Sequence, residues 1–193
     1  MNRDDILRKV RTKFETLGAS ISQEDRPDRR RHLKSAEQPL LAALREVGED
    51  VDSVYDLVNT TRSYHRALPV LADHLQRDYP PRILEGIARA LAVRQAAPYW
   101  QVLLSAYQSG ADVGAKQGAA CAIAAAATED HLDALLRVVG DEAHGSSRVL
   151  LMPALVRLGD AAVVEPFLLK LTEHPVIGRE AARTLRRRQK REA

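Results

Sequence analysis

The chain has 193 residues, 45% hydrophobic but only 4% aromatic, so it has material for a core and is not disordered as a whole. Its 29 basic and 26 acidic residues leave a net charge of +3, too near balance for the pI of about 9.2 to mark a nucleic-acid protein by itself. The one cysteine, Cys121, excludes an internal disulfide; no apolar run reaches the ~20 residues of a membrane span, and the first ten residues lack a signal peptide's apolar centre, which reads as a cytoplasmic protein.

Ala and Leu dominate the apolar residues, and both favour helices over strands. Leu7, Val10, Phe14 and Leu17 form one stripe, which predicts a helix over 4–17, with Asp4 and Asp5 suiting its positive end and Gly18 its stop. "GASISQEDRPDRRR" follows without apolar period, and the stretch of about 18–34 reads as a polar linker. Leu40, Leu41, Leu44 and Val47 predict a helix over about 36–47 that stops at Gly48. Residues 1–50 are thus read as an N-terminal helical segment. From Val51 onward, breaks near 60–63, 79–81, 95–98, 110–112, 127–130, 140–146, 159–160 and 173–175 separate helical stretches of ten to fifteen residues. No alternating pattern marks a strand.

A 32-residue shift brings these stretches into register. "LGDAAVVEPFLLKL" (158–171) falls on "AATEDHLDALLRVV" (126–139), then on "RQAAPYWQVLLSAY" (94–107), and its helical half on "ALPVLADHL" (67–75). Four columns result: Leu68, Trp100, Leu132, Val164; Leu71, Leu103, Leu135, Phe167; Ala72, Leu104, Leu136, Leu168; and Leu75, Tyr107, Val139, Leu171. All are apolar or aromatic. Val58, Ala90, Ala122 and Ala154 share a column in the preceding helices, whereas Asn59 interrupts the one occupied by Leu91, Ile123 and Leu155. One helix pair per period predicts an α-solenoid over 51–193. "GAACAIAAAA" (118–127) is its expected most enclosed helix, and Pro81 and Pro166 are expected in first turns.

"LGDAAVVEPFLLKL" with "EHPVIGREAARTL" resembles HEAT repeats, in particular the short bacterial type also found in phycobilin-lyase proteins. The resemblance covers about 51–188 and implies an all-α, right-handed solenoid of HEAT-like helix pairs with an N-terminal helical cap. It also implies that the second helix of each pair lines a concave groove. Such repeats serve many unrelated roles, among them scaffolding, regulation and toxin neutralisation, so fold does not decide function.

Catalysis has no support in the residues. No Gly-x-Ser-x-Gly elbow or phosphate-binding loop is present, and "GADVGAKQG" lacks the Lys-Ser/Thr end. The six histidines form no His-x-x-x-His pair, and the chain has no His-Glu dipeptide of the kind that holds di-iron in some HEAT-repeat enzymes. "DEAH" (141–144) reads as solvated loop residues, so no metal or cofactor is expected. Two columns opposite the buried stripe change character along the chain: Asp73, Ser105, Arg137, Leu169, and one turn on, Arg77, Ser109, Asp141, Glu173. They are the candidate concave surface for a protein partner. The alternative is nucleic acid, held by the basic runs 26–34 (Arg29, Arg30, Arg31) and 183–191 (Arg186, Arg187, Arg188), although neither run carries an aromatic for base stacking. Pigment-lyase or other enzymatic activity is implied only by the family resemblance.

Overall fold

The computed structural model describes residues 27–192, and every regular element among them is helical. The helix expected over 4–17 lies outside these residues, as does the linker up to Arg26. The contacts divide the chain into two units that meet at Gln38 and Pro39.

Helix α1 (Pro27–Glu46) crosses that boundary. It starts inside the stretch read as linker, so residues 27–34 are corrected to helix. Pro27 opens it, Asp28 sits in the first turn, and Arg31 reaches back to Asp28 at 2.6 Å. Charge pairing and straight-chain propensity form this part of the helix, and neither leaves an apolar period to read. In the second half, Leu40, Leu41 and Leu44 are buried. Gly48 ends the helix at φ +90°, its N–H donating to the Arg45 carbonyl.

In the rest of the second unit first helices α2 (Val54–Val58), α4 (Pro81–Ala90), α6 (Val113–Ala126) and α8 (Met152–Leu158) alternate with second helices α3 (Leu68–His74), α5 (Trp100–Ser109), α7 (Leu132–Gly140) and α9 (Ala161–Leu171), and α3, α5 and α7 each pack on the first helix that follows. Helix α10 (Gly178–Glu192) follows. Local signals set the starts. Ser53 and Asp56 form a capping box on α2, the Asp112 carboxylate accepts from the Ala115 N–H on α6, and Pro81 sits at the first position of α4. Pro166 departs from expectation. Helix α9 begins at Ala161, so Pro166 lies beyond the first turn and removes the bond to the Ala162 carbonyl.

The 32-residue register holds in the packing. Of the sixteen positions in the four columns, eleven are buried, five are half-buried and none is exposed. Asn59, which interrupts its column, is exposed. The first helices α2, α4 and α6 pack on one another in succession, while the second helices α3, α5, α7 and α9 stand further apart. Gly86 and Gly118 occupy the same register position at these crossings. A Cβ on Gly86 would come within 2.5 Å of Val54 Cγ1, and one on Gly118 within 2.9 Å of the Glu85 carbonyl oxygen. Glycine there, with Ala119, Ala120 and Ala122 beside it, lets α6 lie against the α4 backbone.

Arginines close the helix ends. Arg157 donates to the carbonyls of Ala124 (2.7 Å) and Ala127 (3.2 Å) at the end of α6. Arg188 donates to those of Val156 (3.0 Å) and Gly159 (2.9 Å) at the end of α8. Arg148, 1% exposed, donates to Val139 (3.1 Å) at the end of α7 and to Gly145 (2.8 Å). Carbonyls in a helix's last turn have no partner in their own helix, and their partial negative charge favours a guanidinium.

Candidate binding surface

All eight residues of the two variable columns are exposed. Asp73, Ser105, Arg137 and Leu169 lie on α3, α5, α7 and α9, opposite the buried stripe. Asp73 pairs with Arg77, and the Ser109 hydroxyl donates to the Ser105 carbonyl at 2.8 Å. The Asp141 carboxylate accepts from the Ala143 N–H at 2.9 Å. Arg137 makes no ion pair among the described residues, and Leu169 is 60% exposed. The face therefore offers an ion pair, two hydroxyls, a free cation and a bare leucine in succession.

The basic set fares unevenly. Arg29, Arg30 and Arg31 are exposed in α1, with Arg31 engaged by Asp28; Arg186 and Arg187 are exposed on α10. Arg188, by contrast, is 7% exposed and turned inward onto the end of α8, so it is corrected from phosphate-contact candidate to structural cap. Helix α10 runs on past it to Glu192.

Sequence reasoning missed the polar cluster at residues 141–148. Its first half falls in the expected break near 140–146, but beyond it, where the register calls for the first turns of a helix, the chain forms short 3-10 turns with a reversal at Gly145, φ +57°. The Tyr107 hydroxyl lies 2.8 Å from Ser147 Oγ, which in turn donates to the His144 carbonyl at 2.7 Å. The His144 ring packs against Tyr107 with centroids 4.8 Å apart, and its Nδ1 is buried without a partner among the described residues. Lys116 lies over the Tyr107 ring at 5.3 Å. Burial holds the His144 pKa below its usual value, helped by Lys116 and Arg148 and opposed by Asp141. Burial likewise pushes the Tyr107 hydroxyl up. At His174, Nδ1 accepts from the N–H groups of Val176 (3.1 Å) and Ile177 (3.3 Å), and Nε2 lies 3.2 Å from Arg148 Nη2 and 3.3 Å from Glu142 Oε1. The Ser147 hydroxyl is committed to Tyr107 and a backbone carbonyl, so the pattern is that of a held loop rather than of an activated nucleophile.

The remaining histidines have local roles. His131 Nδ1 accepts from the Thr128 N–H at 3.0 Å, and its ring stacks on Trp100 with centroids 4.0 Å apart. His74 Nδ1 lies 2.7 Å from the Tyr79 hydroxyl. Among the described residues no three of His, Cys, Asp and Glu gather as a ligand set, and no helix is long and apolar enough to cross a membrane. Comparison of the chain with protein-family models, curated proteins and solved structures finds no significant match.

Proposed function

We propose that residues 51–193 form a HEAT-like solenoid that serves as a non-catalytic protein-binding or scaffolding module. Its contact surface is the exposed face of the second helices, Asp73, Ser105, Arg137 and Leu169 together with Arg77, Ser109, Asp141 and Glu173. One observation carries this reading: in a single register, the inward columns stay apolar while the outward column passes from Asp to Ser to Arg to Leu. A face that differs from one pair to the next suits a partner with a fixed orientation. The family resemblance would put this face on a concave layer, but here the first helices are the closely packed ones. The proposal therefore places the partner on the more widely spaced layer.

Nucleic acid is the second reading, supported by Arg186 and Arg187, which are exposed and make no ion pair among the described residues. Affinity capture of partners from the native cell with mass spectrometry supplies the ligand, and titration at two salt concentrations decides. The protein reading expects Arg137→Glu to weaken binding and Arg187→Ala to leave it. If the reverse holds and affinity falls steeply with salt, as counterion release requires, the protein reading is wrong.

A further inference from the structure

Between α9 and α10 lies a furrow of about 410 Å³ with a mainly apolar floor of Ala161, Ala162, Pro166, Leu169 and Leu185. Leu169 stands open in it.

The rim of this apolar furrow is cationic. Lys170 follows Leu169, Arg186 follows Leu185, and Lys190 lies one turn beyond Arg186 on the same strip of α10. All three are exposed and make no ion pair among the described residues. The furrow's own carboxylate, Glu165, lies 3.7 Å from Arg188 and so is turned toward a charge already in the fold. An apolar floor between two helices accepts the ridge of a third, and a row of free cations selects what flanks that ridge. Phosphates have no use for a floor of leucine and proline.

We infer that the furrow between α9 and α10 docks an amphipathic helix of a partner protein, with apolar residues on its inner face and acidic residues beside them. This rests on the reading of the chain as a binding module and names one site and its ligand chemistry. Leucines at i, i+3, i+4 and i+7 fill the furrow past Leu169 and Pro166, and glutamates on the flanks meet Lys170, Arg186 and Lys190.

The test uses the full chain and a fluorescein-labelled synthetic helix of about 18 residues with that leucine spacing and glutamates elsewhere. A twin peptide carries lysines in place of the glutamates. Anisotropy titration is expected to show saturable binding of the acidic peptide, at least ~tenfold weaker binding of the twin, and a loss of at least ~tenfold with Leu169→Asp. Leu169→Asp must keep the parent's circular dichroism and melting temperature; should it not, Leu169→Gln and the surface triple Lys170→Gln/Arg186→Gln/Lys190→Gln take its place. Equal binding of both peptides, no binding of either, or a Leu169→Asp variant that binds like the parent overturns the inference. So does displacement of the peptide by a DNA duplex, or sedimentation that shows self-association abolished by Leu169→Asp. If the peptides fail while a captured protein still depends on Arg137, only this site is lost. If Arg137→Glu is also without effect, the binding-module reading falls with it.

Discussion

Trp100 shows how one side chain joins two pairs. It is 4% exposed, begins α5, and stacks on His131, the residue before α7. Trp100→Ala is expected to cost about 3–5 kcal/mol, the range for large aromatic truncations in a core, read as a shifted urea midpoint. A shift under ~1 kcal/mol would mean that the stack holds little of the fold. His144 makes stability depend on pH. Its folded pKa, like that of His74, is depressed, chiefly by burial. Above the unfolded value of about 6.5 both states are neutral and the native stability is complete. Below it the unfolded chain takes protons that the folded chain refuses, so stability falls with pH until the depressed folded pKa is passed. Urea midpoints at pH 7.5 and 5.5 are expected to differ less for His144→Gln than for the parent. Equal differences would remove His144 from the account.

At the scale of the helix, the decisive contacts come from arginines that close the ends of neighbours. Arg188→Leu leaves the Val156 and Gly159 carbonyls without their donor and is expected to cost about 1–3 kcal/mol. Arg187→Leu, on the exposed side of the same turn, is expected to stay within ~0.5 kcal/mol. Thermal melts of the two variants side by side check this, and equal shifts would show that Arg188 acts by charge alone. In the sequence these residues look alike, because three consecutive arginines carry no mark of which one turns inward. Arg148 left a trace: its register position holds Leu84 and Lys116 in earlier pairs, and Leu84 is half-buried. The buried columns, the breaks and the stop at Gly48 were legible because they depend on local periodicity and backbone need. The start of α1 at Pro27 was not, since its first turns are held by charge pairing. Nor was the 3-10 stretch at 142–150, whose form depends on a contact between Ser147 and Tyr107, 40 residues away in the chain. Of the candidate surface, exposure was legible for all eight residues. The apolar furrow was not, because α10 supplies its second wall through Leu185 and Gln189.

Over residues 39–192, order should fall off from the middle. Helix α6 is packed against α4, α5 and α8, whereas α10 rests on α8 and α9 alone among the closely packed elements. Segments with fewer packed neighbours open more readily, so amide exchange is expected to be slowest in α6 and fastest in the last turns of α10. Gly118→Val should undo this ranking by pushing α6 off the Glu85 backbone, at about 1–3 kcal/mol, and raise exchange in α4 and α6 together. Exchange raised in α6 alone would mean that the two helices do not share their stability. The arginine closures also give the chain a direction in time. Ala127 waits for a donor 30 residues downstream and Gly159 for one 29 residues downstream. During synthesis from the N-terminus, α6 therefore emerges with an open end that only α8 can seal, and α8 with one that only α10 can seal. Each of these ends is closed from behind, so a chain that stalls before Arg188 leaves the end of α8 unsealed.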